Sequence, residues 1–73
     1  MPQFTLILEP NYPEPGYTVR VPYLTGVITY GKDKEEAVAR AKEAVTGYVQ
    51  ALREAGQPIP EEAVAVEMER IEV

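Results

Sequence analysis

The chain has 73 residues with no cysteine and no histidine, which excludes a disulfide framework, a Cys/His zinc site and any Cys–His or Ser–His catalytic pair. Twelve acidic against seven basic side chains leave a net charge of −5, which argues against a nucleic-acid surface and suits a partner that is itself basic. So short a chain forms a single domain, residues 1–73, that buries only about 60% of its unfolded surface, so association is an expected source of extra stability.

The start at Met1-Pro2-Gln3-Phe4 lacks the cationic and apolar regions of a signal peptide, and no apolar run nears the ~20 residues of a membrane span. A cytoplasmic location without membrane contact is therefore expected. Residues 3–9 alternate as a first strand, with Phe4, Leu6 and Leu8 on one face and the more polar Gln3, Thr5, Ile7 and Glu9 on the other. Pro10, Pro13, Pro15 and Gly16 then break regular structure and predict a hairpin loop longer than a two-residue turn. Tyr17, Val19 and Val21 share one face of a second strand, Thr18 and Arg20 the other, and Pro22 ends it. After a turn at 22–26, residues 27–30 form a short third strand rich in β-branched and aromatic side chains.

Asp33 is a good N-cap, and Glu36 three positions on completes a pattern like a capping box. A helix over about 34–55 follows, with Val38, Ala41, Val45, Tyr48, Val49 and Leu52 recurring as one apolar stripe that places Tyr48 in the core. Gly56 suits the C′ position, and Pro58 and Pro60 forbid continuation. Gly47, inside the helix, reflects either close packing or plain tolerance. Residues 63–69 predict a fourth strand with Val64, Val66 and Met68 inward. Ile71 and Val73 fall on the opposite parity, from a bulge near Glu69-Arg70 or from a tail that meets another subunit. The expected fold is α+β: β-β-β-α-β, a four-stranded mixed sheet in the order 3-2-1-4, closed by a right-handed crossover, with the long helix on one face and the other face open.

Residues 16–37, G-Y-T-V-R-V-P-Y-L-T-G-V-I-T-Y-G-K-D-K-E-E-A, carry a resemblance. They are similar to the HicB-like antitoxin family, whose pattern runs roughly G-Y-x-V-x-V-P-D-L-P-G-C-x-T-x-G-D-T-x-E-E-A, followed by a helix and G-x-x-I-P-x-P. Gly16, Tyr17, Val19, Val21, Pro22, Leu24, Gly26, Thr29, Gly31, Glu35, Glu36 and Ala37 match it, as do Gly56, Ile59 and Pro60 at its close. Tyr23, Thr25 and Val27 depart from it, standing where the family has Asp, Pro and commonly Cys. The resemblance implies a partial ribonuclease-H-like fold and a domain that binds a small basic RNA-cleaving toxin and blocks its catalytic surface. Many members add a DNA-binding helix-turn-helix or ribbon-helix-helix unit after this domain. The present sequence has no counterpart of it, so no direct nucleic-acid contact is expected.

Two-metal nucleases need several converging carboxylates. The first strand offers Phe4, Leu6 and Leu8 inward with Glu9 only at its end, and Tyr23 replaces a turn carboxylate, so no enzyme activity, cofactor or metal is expected. The candidate partner-binding residues are Tyr12 and Tyr23 in turns, together with Glu67 and Glu69 on one strand face. That carboxylate pair is unfavourable unless a basic partner, a salt bridge between subunits or solvent relieves it. The candidate self-association residues are Ile71 and Val73, in a dimer or tetramer. The alternative reading is an orphan self-associating structural or regulatory module of the same fold with an unknown protein or ligand partner.

Overall fold

In a computed structural model, residues 3–24, 26–60 and 67–72 are described. Three strands, β1 (Ile7–Pro10), β2 (Tyr17–Arg20) and β3 (Ile28–Gly31), precede one long helix, α1 (Lys34–Glu54). The strands form an antiparallel meander in the order β1-β2-β3, with Leu8 opposite Val19 and Val19 opposite Thr29. The expected α+β layout is therefore present as three strands and a helix. Of the expected fourth strand, residues 63–66 lie outside the described residues. Residues 67–69 carry no strand, and Met68, expected inward, is 76% exposed.

Strand alternation sends Leu8, Tyr17 and Val19 towards the helix, where Val19, Ala37 and Ala41 form the buried core and Leu6, Leu8 and Tyr17 pack around it. Small residues, Ala37 and Ala41, are what the helix presents at its closest approach. Tyr48, expected in the core, lies on the exposed side of the stripe, whereas Ala37, which the stripe omitted, is fully buried. The cause is geometric. Successive helix residues are turned about 100° apart, so Val49, one residue on, is buried at 8% while Tyr48 falls at the margin of the packed face.

Both helix ends are closed as the sequence predicts. The Asp33 carboxylate accepts from the Glu36 amide at 2.8 Å. Glu36 returns its carboxylate not to the cap residue but one residue earlier, accepting from the Lys32 amide at 3.1 Å. At the far end the Gly56 amide donates to the Arg53 carbonyl and the Gln57 amide to the Leu52 carbonyl, with Gly56 at φ +69. This paired closure is the Schellman arrangement. Between β2 and β3, the Leu24 amide donates to the Val21 carbonyl and the Val27 amide to the Leu24 carbonyl. Two successive turns thus press the Leu24 side chain into the interior, where it is 1% exposed.

Two glycines set how closely the layers approach. A Cβ on Gly31 would lie 2.7 Å from the Ala37 Cα and nearer still to the Ala37 amide. A Cβ on Gly16, at φ +100, would meet the Gly31 carbonyl at 2.7 Å. Thr29 completes the seam, its hydroxyl donating to the Ala37 carbonyl at 3.1 Å. A methyl group on Gly47 would meet nothing within 4 Å, so plain tolerance accounts for this glycine within one chain. Gly31→Ala is expected to cost about 3 kcal/mol or more, because backbone and not a flexible side chain must move. Gly47→Ala should raise stability by up to about 1 kcal/mol through helix propensity. Thermal melts followed by circular dichroism check both signs.

Candidate partner-binding surface

The sheet face turned away from the helix is built from two cross-strand rows. Ile7, Arg20 and Ile28 form one, and Glu9, Thr18 and Tyr30 the other. The row residues alternate with those that line the core, which is why Arg20 and Glu9 reach solvent while Val19 does not. The Arg20 guanidinium Nε donates to Glu9 Oε1 at 2.6 Å, diagonally across the face. Thr18, buried between Glu9 and Tyr30, donates its hydroxyl to Asn11 Oδ1 at 2.8 Å and so anchors the β1–β2 loop. Ile28 is 41% and Tyr30 60% exposed, leaving apolar surface on either side of the ion pair. Aromatic side chains and arginine are enriched at protein interfaces, and this face carries Tyr30 and Arg20.

The sequence-predicted contact residues are not gathered into one patch. Tyr12 is 91% exposed in the loop after β1, at one end of the sheet. Tyr23 is half-buried in the turn after β2, at the opposite end. Glu67 and Glu69 are both exposed, in a stretch without regular structure. Ile71 is 81% exposed, and Val73 lies outside the described residues. Ile28 and Tyr30 were not among the residues expected to bind. Their shared parity within the third strand is visible in the sequence, but only the register against Thr18 and Arg20 assigns that parity to the outer face.

The two sheet edges differ. Ladder bonds alternate along an antiparallel pair. Since the Val21 amide donates to the Val27 carbonyl, the alternation turns the carbonyl of Tyr30 outward from β3. Arg40 donates to that carbonyl at 3.1 Å while its other terminal nitrogen pairs with Glu36 at 3.4 Å. A charged side chain thus occupies the β3 edge, a common way to prevent further pairing. Among the described residues no strand pairs with the outer edge of β1. Between that edge and the helix runs a groove of about 380 Å³ lined by Phe4, Leu6, Ala41, Lys42, Val45 and Thr46. Among the described residues no set of three or more acidic side chains is placed to hold a metal ion, and no helix is long and apolar enough to cross a membrane.

These elements define a class: an α+β domain whose helix covers one sheet face and whose other face carries exposed apolar and paired charged side chains. Within that class the chain belongs to the HicB-like antitoxin family, since residues 4–72 match the family described as HicB_like antitoxin of bacterial toxin-antitoxin system. It is also 39% identical over 59 residues to UPF0150 protein Ta0767 of Thermoplasma acidophilum, covering 80% of this chain and 83% of that protein. No solved structure matches. The resemblance read from residues 16–37 is thereby shown, and with it a general place in toxin–antitoxin systems.

The Glu9–Arg20 pair is half-exposed on both sides, so its coupling energy should be small, about 0.2–1 kcal/mol, and should shrink as salt rises. A double-mutant cycle with Glu9→Ala and Arg20→Ala, read by chemical denaturation at low and high salt, measures it.

Proposed function

We propose that this chain binds and neutralises a small, basic, RNA-cleaving toxin by covering it, without catalysis of its own. The family match over residues 4–72 carries the reading, and the net charge of −5 supports a basic partner. The contact surface in this proposal is the outer sheet face, with Ile28 and Tyr30 as apolar anchors and Tyr12 and Tyr23 at its two ends. The fourth strand belongs to the same proposal. If the expected fourth strand lies along the outer edge of β1, with which no described strand pairs, the sheet takes the order 3-2-1-4. With Met68 turned to the helix side, Glu67 and Glu69 then fall on the outer face by alternation. The outer face becomes an apolar centre with an acidic margin, and a basic partner relieves the repulsion between those two carboxylates. Action in the cytoplasm is part of the reading.

The test is direct. The chain is co-expressed with the product of a neighbouring short basic reading frame, and RNA cleavage and binding are measured. Suppression of cleavage together with a stable complex is expected. Ile28→Asp or Tyr30→Ala should weaken binding tenfold or more, about 1.4 kcal/mol, while Glu35→Gln, exposed on the helix, should leave it unchanged. Failure to bind or inhibit any such product overturns the proposal.

A further inference from the structure

The loop between β1 and β2 is a stalk that carries one bare aromatic ring. Pro10 opposite Tyr17 is the last pair of the β1–β2 ladder. One residue further, the Asn11 amide donates to the Gly16 carbonyl at 2.9 Å and closes a neck across the hairpin. Beyond the neck stand Tyr12, Pro13, Glu14 and Pro15, all exposed. Two of these are prolines, whose φ is fixed at about −65°. Tyr12 is 91% exposed, more than any other large apolar side chain among the described residues.

The neck is held on both sides. Thr18 is the one buried polar side chain among the described residues, and its hydroxyl donates to Asn11 Oδ1 at 2.8 Å. Losing that bond would leave a buried hydroxyl unpaired, so the contact is costly to break. On the other side Gly16 packs against the Gly31 carbonyl, where an added Cβ would come within 2.7 Å, so the neck rests on the end of β3. An exposed loop aromatic ordinarily loses backbone and rotamer freedom on capture, which weakens binding. Here hydrogen bonds and prolines order the backbone beforehand, and a tyrosine contributes few side-chain torsions of its own.

The tip also has a sign. No lysine or arginine occurs between Gln3 and Val19. Glu9 is engaged by Arg20, which leaves Glu14, two residues from the ring, as the charge of the tip. A convex aromatic beside a carboxylate matches a concave apolar pocket rimmed by cations, where an arginine or lysine lies over the ring face and also meets the carboxylate. The loop is continuous with the outer sheet face, because Thr18, which anchors it, shares a row with Glu9 and Tyr30. We propose that Tyr12 is the principal anchor of the contact with the basic partner, that it enters a cation-rimmed pocket there, and that Asn11 and Thr18 are positioning residues that present it. The proposal rests on the toxin-binding reading and names the residue that carries most of its affinity. Ile28 and Tyr30 then flank the anchor on the adjoining face.

The test measures affinity of the full-length chain for the product of the neighbouring short basic reading frame, in the wild type, in Tyr12→Ala, Tyr12→Phe and Thr18→Val, and in the Tyr12→Ala/Thr18→Val double variant. Tyr12→Ala should weaken binding about thirtyfold or more and leave the melting temperature unchanged, because the ring is 91% exposed. Tyr12→Phe should keep most of the affinity. Thr18→Val should weaken binding about fivefold by itself, and by less than about twofold once Tyr12 is alanine. An equal loss in both backgrounds is what a merely structural role gives, and it overturns the positioning role. A tight complex with Tyr12→Ala overturns the anchor. So does a loss of self-association in Tyr12→Ala, seen by light scattering on the chain alone, which assigns the loop to a second copy. A wild-type chain that binds no such product overturns the toxin reading and this proposal together, whereas wild-type binding unaffected by Tyr12→Ala overturns this proposal alone.

Discussion

The arrangement depends on one close contact, where the first turn of α1 lies directly over Gly31. Helix and sheet meet there backbone to backbone, and the missing side chain is what allows it. Because Gly31 is the last residue of β3, the chain must leave the sheet and enter the helix within Lys32 and Asp33. That sharp passage is held by polar groups at both levels. Asp33 and Glu36 bind the amides of the entry, and Thr29 ties β3 to the Ala37 carbonyl. Gly16, just before β2, packs against the Gly31 carbonyl, so the same point also fixes the spacing of the two strands. At this contact the layers are so close that the helix presents only alanines, Ala37 and Ala41, to Val19, while Val49 is buried farther along the helix.

This explains which parts of the fold were legible in the residues. Caps and turns are local chemistry, so Asp33, Glu36 and Gly56 announced the helix ends to within a residue, and Pro22 and Gly16 announced the strand ends. Alternation within each strand was also local, and the Leu6, Leu8, Tyr17 and Val19 face was assigned correctly. What failed was non-local. Tyr48 sits at helical spacing from Ala41 and Val45, but how far round the helix the packed face reaches is set by the neighbouring elements, and it takes in Val49 and leaves Tyr48 at its margin. The binding surface suffered most. Tyr12 and Tyr23 were singled out as exposed turn aromatics, and a turn position says nothing about which end of the sheet it occupies. Ile28 and Tyr30 are exposed for a reason set by the register between separate strands. Apolar residues on a strand look like core until the pairing is known.

Among the described residues, the unpaired β1 edge and the apolar outer face have one origin. A single helix covers one face of the three described strands and leaves Ile28 and Tyr30 exposed on the other. One edge is already closed by Arg40, whose reach to the Tyr30 carbonyl also braces the helix entry through Glu36. Closing that edge locally directs any further pairing to β1, the strand farthest from it in the sheet. An added strand there widens the outer face and leaves its apolar centre, Ile28 and Tyr30, where it was. Strand addition at the edge and the proposed contact on the face would therefore be compatible and use different atoms. The edge uses backbone groups and the groove above Leu6, and the face uses side chains of the opposite parity.

That separation has a consequence for charge. The helix's exposed side carries lysines and arginines among its glutamates, whereas residues 67–72 add three carboxylates against the single Arg70. Placed beside β1 with Met68 on the helix side, Glu67 and Glu69 would border a face whose central ion pair, Glu9–Arg20, is already neutral. The negative field of the assembly would then be concentrated along one margin of the outer face instead of spread over the molecule. Such a field would steer the proposed basic partner to that margin and orient it over Ile28 and Tyr30, where desolvation would supply the affinity. Pairing of a fourth strand at the β1 edge would thereby convert a diffuse surplus of acid into a directed one.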